Sequence, residues 1–238
     1  MIPSQKKTLA SQTVSNTQDL IEQIRSELES VEAQLRDHPY LRGLEQNEIT
    51  RDGLNVIVGE QHITIESDLR SLAAMVARCD HPRSRRFFLG ILPGEDAAFG
   101  ALHDLATGLG LDEPWLLAYE PTPEAQAYAH YVAWLAHYAS PAEMAAALAV
   151  NFPAWGANCG RVGDALRDKY GLTEHATAFF TLFSGPTPSE FDEDVRRVID
   201  NGLLHGIGEA QLKRAARLLQ SYELMFWDGV HRASTGIL

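Results

Sequence analysis

The chain has 238 residues and a formal net charge of −12, with 32 acidic residues against 20 basic ones. With 45% hydrophobic and 22% charged residues, it has the composition of an ordinary globular protein that can bury a sizeable core. The acidic balance disfavours binding to nucleic acid or to an anionic membrane surface, because both partners require a basic face.

The two ends of the chain differ in composition. Residues 1–16 are rich in Ser, Thr and Gln, so we expect a disordered polar lead there, followed by one domain over 17–238. No signal peptide and no apolar run of about 18 residues is evident. Cys79 and Cys159 lie far apart, which disfavours a disulfide scaffold or a structural zinc site. We therefore predict a reduced, cytoplasmic protein.

Apolar residues recur at helical spacing along the chain, which predicts an all-α bundle. The strand-like alternation at 62–66 is shorter than the helical period that runs through it, so we favour helix there too. Pro93 and Pro153 are possible kinks or breaks in long helices. In chain order, helices are predicted over 20–35, 50–79, 84–109, from Thr122-Pro123 onward, 140–169, 173–183, 190–204 and 209–231.

Polar residues interrupt the apolar stripes of four of these helices. Burying an unsatisfied polar group costs about 1–3 kcal/mol, so side chains from several helices must pair, bind water or line a cavity. We predict a central pocket with apolar and aromatic walls, as in other helical bundles. The candidate ligand-binding residues are Gln61, Asp68, Tyr128, Asn151, Phe152, Trp155, Asn158 and Phe226. The alternative for each residue is a satisfied position in the core or a position at the solvent edge of the stripe.

Glu223 is the candidate catalytic residue because it lies one helical turn before Phe226-Trp227. A carboxyl in such an apolar setting has a raised pKa and can transfer protons. The alternative is a carboxylate held by a buried tyrosine or amide for structure.

Neither a metal centre nor a catalytic cysteine is expected. His62 and Glu66 share a helix face, as do Asp96 and His103, but paired Glu-x-x-His motifs and HExxH are missing. We expect His62 on an exposed face, and we predict no metal and no cofactor. The two cysteines are expected to be buried and unreactive.

Four segments resemble the TenA/PqqC superfamily. They are His38-Pro39-Tyr40-Leu41 with the helix that follows it at 49–68, EPTPEAQAY at 120–128, SPAEMAAAL at 140–148 and SYELMFWD at 221–228. The similarity spans roughly Asp37 to Asp228. It implies a haem-oxygenase-like helical bundle around a central pocket. The superfamily includes thiaminase-type enzymes, the pyrroloquinoline-quinone synthase and CADD-like proteins.

The resemblance implies that some functional residues of the superfamily are present in this sequence and that others are replaced. Glu223 matches the glutamate that the thiaminases use in acid–base chemistry, and Tyr128 matches a pocket tyrosine. The nucleophilic cysteine of the thiaminases falls at Asn151. Their substrate-anchoring aspartate falls at Gln61 and a further tyrosine at Trp155.

The di-iron CADD-like pattern is matched only in part. Asp96 and His103 suit its first carboxylate–histidine pair. Phe152 and Phe183 stand where later ligands are expected, and no His-x3-Asp-x2-His is found. The resemblance also implies a homodimer.

We therefore expect a protein that binds or metabolises a small heteroaromatic molecule. It lacks the thiaminase cysteine and a full di-iron ligand set. Three alternatives stay open at this point: a non-catalytic ligand-binding protein, a CADD-like metal-dependent oxidase, and a subunit whose first helix and aromatic tail mediate assembly.

Overall fold

The structure is a computed structural model that describes residues 17–185 and 189–236. Within these ranges every regular element is a helix, as predicted. The predicted disorder of residues 1–16 lies outside the described residues. The helices are α1 (17–27), α2 (Glu29–Arg36), α3 (Pro39–Glu45), α4 (Arg51–Arg78), α5 (Pro82–Leu109), α6 (Glu113–Ala118), α7 (Pro123–Tyr138), α8 (Pro141–Asp168), α9 (Ala178–Ser184), α10 (Ser189–Leu204) and α11 (Glu209–Thr235).

Two of the longest helices, α4 and α8, begin at side-chain caps that the sequence already shows. The hydroxyl of Thr50 accepts from the Gly53 amide at 3.1 Å at the start of α4. At the start of α8, Ser140 and Glu143 form a reciprocal capping box, in which the Ser140 amide donates to Glu143 Oε2 at 2.8 Å. Such caps satisfy amides that have no partner within the helix, and they explain why these boundaries were predictable.

Two short helices, α3 and α6, were not predicted, whereas the helix predicted over 173–183 is present as α9 (Ala178–Ser184). The predicted first helix is interrupted at Leu28, which separates α1 from α2. Helices α3 and α6 have seven and six residues, too few for a helical period to be recognised. Both begin at caps instead: His38 Nδ1 accepts from the Tyr40 amide, and Asp112 accepts from the Trp115 amide.

Neither internal proline ends its helix. Helix α5 continues through Pro93, and α8 continues through Pro153. Because Pro153 has no N–H, the carbonyl of Ala149 loses its helical donor. The guanidinium of Arg25 in α1 donates to this carbonyl at 3.0 Å, so the freed oxygen is satisfied from a neighbouring helix.

The long helices enclose the centre of the molecule. Helix α4 packs against α5 and α7, α11 packs against α7 and α8, and α9 and α10 lie against α8. Two apolar clusters fill the interior, and Tyr128 of α7 packs against both. The polar stripe positions of α4, α7, α8 and α11 therefore face a shared region between the clusters. No helix in the described part of the chain combines the length and apolarity needed to cross a membrane.

Candidate functional site

A cavity of about 40 Å³ lies where six helices converge, which is room for one or two water molecules. It is lined by Gln61, Thr64, Ile65 and Asp68 of α4, Glu95 of α5, Tyr128 of α7, Phe152 and Trp155 of α8, Phe183 of α9, and Glu223 and Phe226 of α11. The lining combines aromatic and apolar walls with a few polar groups, as in small-molecule sites generally. Three of these polar groups are carboxyls.

Glu223 is the most deeply buried of the three, with 2% of its surface exposed. Its Oε2 accepts a hydrogen bond from Asn151 Nδ2, and its Oε1 accepts from the indole N–H of Trp227 at 3.2 Å. Burial raises the pKa of this carboxyl to about 8, although both hydrogen bonds act in the opposite direction. Glu223 is therefore mostly protonated at neutral pH and can donate a proton into the cavity.

Asn151 holds Glu223 in place and has no N–H donor left over. Its amide nitrogen donates to Glu223 and also to Gln220 Oε1 at 2.8 Å. Its oxygen accepts from the hydroxyl of Tyr128 at 3.1 Å. Since an amide has two N–H donors and no nucleophilic thiolate, this residue positions Glu223 and cannot attack a substrate.

The cavity wall formed by α4 carries polar atoms that the described residues do not hydrogen-bond. Thr64 Oγ1 and Asp68 Oδ1 are shielded from solvent, and neither has a hydrogen-bond partner among the described residues. Burial, followed by the nearby Glu95, raises the pKa of Asp68 well above its usual range. Burial alone raises the pKa of Glu95 to about 7. This wall offers polar atoms to a bound molecule or to water.

Aromatic side chains close the remaining sides. The centroid of the Trp155 ring lies 5.9 Å from that of Phe183 and 6.0 Å from that of Phe226, and both pairs are edge-on. The centroid of the Trp227 ring lies 5.5 Å away. Phe152, Trp155, Phe183 and Glu95 also line an open cleft on the outer side, between α5, α8 and α10. These side chains form the partition between the cavity and the outer cleft.

The residues predicted from sequence fall into three groups. The first group lines the cavity and consists of Gln61, Asp68, Tyr128, Phe152, Trp155, Glu223 and Phe226. Asn151 forms the second group, because it lies directly behind Glu223 and is hydrogen-bonded to it. Asn158 lies apart and is removed from the site: its amide donates to the Leu35 carbonyl at 3.3 Å and so connects α8 to α2.

Four lining residues were not among the candidates: Thr64, Ile65, Glu95 and Phe183. Thr64 follows Gln61 by three positions and precedes Asp68 by four, so the α4 stripe itself could have revealed it. Glu95 follows Pro93-Gly94, where a break was considered, and Phe183 belongs to α9, whose packing the sequence does not show.

The described residues contain no group of three or more His, Cys, Asp or Glu side chains that could hold a metal ion. The expectation that His62 is exposed is wrong: it is 8% exposed and packs against Phe99 and His103. Phe152 and Phe183 place aromatic rings where the di-iron pattern needs ligands. The residues present therefore do not fit a di-iron centre.

Both cysteines are buried and free. Burial raises the thiol pKa of Cys159 well above its usual range and also raises that of Cys79. Neither lines the cavity. A thiolate nucleophile is thus available neither at Asn151 nor from a neighbouring cysteine.

Comparison with known structures identifies proteins of similar architecture. A TenA homologue from Pyrococcus furiosus matches with a TM-score of 0.68 and 22% identity, over 89% of this chain and 99% of that one. A TenA homologue from Pseudomonas syringae pv. tomato matches with a TM-score of 0.73 and 14% identity, over 89% and 92%. A domain with a haem-oxygenase-like fold from Shewanella denitrificans matches with a TM-score of 0.68 and 15% identity, over 90% and 91%.

At these identities the structural matches show the fold, which is haem-oxygenase-like, as the sequence resemblance implied. Among curated proteins, no sequence matches this chain. The profile of the TENA/THI-4/PQQC family covers residues 25–233, and the chain belongs to that family.

Proposed function

We propose that this member of the TENA/THI-4/PQQC family binds a small heteroaromatic molecule in the central cavity and that Glu223 exchanges a proton with it. The observation that carries the proposal is the state of Glu223. Its carboxyl lines the cavity, is held by two donors and has a pKa of about 8. A group that titrates near the working pH can both donate and accept a proton efficiently.

The walls favour a flat ligand. Phe152, Trp155 and Phe226 supply aromatic faces and edges, and aromatic pairs gain about 0.5–1.5 kcal/mol beyond the area they bury. The cavity of about 40 Å³ is smaller than a heteroaromatic ring, so binding requires side chains of the partition to move toward the outer cleft. Rotamer changes of this kind are common at binding sites.

The route taken by the thiaminases is not supported, because Asn151 stands at the position of their nucleophilic cysteine and has no thiol. Acid–base chemistry without a covalent enzyme intermediate is what the side chains can perform. Glu223 would protonate a ring nitrogen or leaving group, and Asn151 and Trp227 would stabilise the carboxylate that remains.

Native mass spectrometry of the purified full-length protein shows whether a small molecule is carried. Heteroaromatic compounds are then incubated with the wild type, Glu223→Gln and the exposed control Glu209→Gln, and products are measured by liquid chromatography and mass spectrometry. We expect Glu223→Gln to keep binding and to lose at least about 100-fold in turnover, the usual contribution of a general acid. The control should match the wild type.

Two other results are informative. Binding without any turnover by the wild type would make this protein a non-catalytic ligand-binding protein. Absence of a carried molecule together with absence of binding would overturn the proposal. The homodimer and the cytoplasmic location expected from the sequence stay predictions, and light scattering on the full-length chain tests the first.

A further inference from the structure

Two carboxyls that line the central cavity have no counter-charge. Asp68 of α4 and Glu95 of α5 line the central cavity, and both also line an adjoining void of about 20 Å³. No Lys, Arg or His side chain lines either space. Neither carboxyl makes a hydrogen bond or an ion pair with any residue in the described part of the chain.

This arrangement is unfavourable in the absence of a ligand. Two carboxylates close together in a poorly hydrated site repel each other, and each loses hydration. Burial accordingly raises the pKa of both groups, and Glu95 raises that of Asp68 further. Asparagine and glutamine would fill the same space without this repulsion and loss of hydration. The presence of two acids therefore indicates a positively charged partner that the residues lining these spaces do not supply.

Thr64 provides a second and independent observation. Its side chain is 3% exposed and lines the central cavity one turn before Asp68. A helical threonine can donate to the carbonyl four residues earlier, here that of Glu60, but this carbonyl accepts from Gln126 Nε2 at 3.3 Å instead. The Thr64 hydroxyl is left without a partner among the described residues and faces the cavity.

We propose that Asp68 and Glu95 bind a positively charged amine on the molecule held in the central cavity, with the Thr64 hydroxyl as an additional hydrogen-bond acceptor. An ammonium group has three donors and suits three oxygen acceptors. Because Glu95 also lines the outer cleft, substituents on the amine can extend toward that side. The ligand is thus an aromatic molecule with a cationic amine. This inference rests on the proposed function, since it requires the cavity to bind a ligand.

The test uses two probes of nearly the same shape, benzylamine and benzyl alcohol. Near neutral pH benzylamine is a cation, as other aliphatic amines are, and benzyl alcohol is neutral. Ligand-observed NMR on the full-length protein gives both dissociation constants. We expect the wild type to bind benzylamine at least about tenfold more tightly than benzyl alcohol, which corresponds to one modest charge-assisted contact.

Asp68→Asn and Glu95→Gln should each reduce the affinity for benzylamine toward that for benzyl alcohol. Asp96→Asn is the matched control, because it removes the same charge from the exposed neighbour of Glu95 on α5 and should keep the preference. Thermal melting shows that each variant is folded. A variant whose melting curve has no cooperative transition is excluded from the comparison. The affinities of the other variant then decide whether the inference holds.

Equal affinity for the two probes in the wild type overturns the inference, as does a preference that survives both substitutions. In that case the two acids are protonated residues of the wall, and the proposed function stands. Absence of benzylamine binding also overturns the inference. The proposed function fails with it only if native mass spectrometry finds no carried molecule and the heteroaromatic compounds do not bind.

Discussion

Two acidic residues on α4, Glu60 and Asp68, lie about two turns apart and have opposite surroundings. Glu60 is 0% exposed, and its carboxylate accepts three hydrogen bonds: from the Tyr119 hydroxyl at 3.1 Å, the Thr122 amide at 2.7 Å and Gln126 Nε2 at 2.6 Å. Asp68 has a solvent-shielded oxygen and no partner among the described residues. The same helix thus carries one satisfied and one unsatisfied acid.

The difference separates the structural role of Glu60 from the ligand-binding role that we propose for Asp68. The donors to Glu60 are Tyr119 and two residues at the start of α7, so this carboxylate connects α4 to the helix that carries Tyr128. Asp68 makes no such connection between helices in the described part of the chain. Burial alone would not have distinguished the two, whereas an account of their hydrogen-bond donors does.

The largest effect is expected at the satisfied acid. Glu60→Ala removes the acceptor of one buried donor, Gln126, and of two half-buried ones, Tyr119 and Thr122, so we expect the free energy of unfolding to fall by about 3–5 kcal/mol. Urea denaturation followed by circular dichroism measures this loss. Glu66→Ala on the same helix is the control: it removes only an exposed ion pair with Arg70, and the expected loss is about 0.5 kcal/mol or less.

A loss below about 1 kcal/mol for Glu60→Ala would mean that water replaces the carboxylate easily. The contrast between Glu60 and Asp68 would then carry no information about function.

The second effect concerns pH and compares wild type with Glu223→Gln. The pKa of Glu223 is raised from 4.5 in the unfolded chain to about 8 in the folded protein, so between these values the folded state binds the extra proton. Stability from this group is therefore complete below about pH 4.5 and is lost as the pH rises toward 8. Between about pH 5.5 and pH 8 the loss is about 3 kcal/mol.

Glu223→Gln cannot titrate and should lack this slope. Urea denaturation at several pH values gives the difference between the two proteins, in which contributions from the buried histidines and from the other acids largely cancel. Parallel curves for wild type and variant would show that Glu223 is ionised at neutral pH, and it would then be unsuitable as a general acid.

The architecture could be predicted from the sequence because a helical period marks each long helix and further signals agree with it at α4 and α8. Helical periodicity, the caps at Thr50 and Ser140 and the polar stripe positions all indicate the same elements. The cavity followed from simple energetics, since polar residues on four apolar faces need a shared place to be satisfied. Glu223 was predicted from such a stripe, and its carboxyl lines the cavity.

What could not be predicted depends on partners that are distant in sequence. The sequence does not show that Asn158 donates to the Leu35 carbonyl, nor that Glu60 is satisfied by donors from the start of α7. Glu95 and Phe183 enter the site through the packing of α5 and α9, and a helical period shows which face is buried but not against what. Periodicity selected the buried positions, and only three-dimensional contacts separate satisfied groups from unsatisfied ones.

The smallest effect, and the one of opposite sign, is expected at the unsatisfied acid. Asp68→Asn preserves the shape of the side chain and removes a carboxyl that has no donor and lies near Glu95, so the free energy of unfolding should stay the same or rise by up to about 1 kcal/mol. Urea denaturation at neutral pH measures this change, with Glu66→Gln as an exposed control. A ligand site that is costly when empty is expected to gain stability when its charge is removed and to lose affinity at the same time. A loss of more than about 2 kcal/mol would show that Asp68 has a structural partner after all, and the distinction between it and Glu60 would disappear.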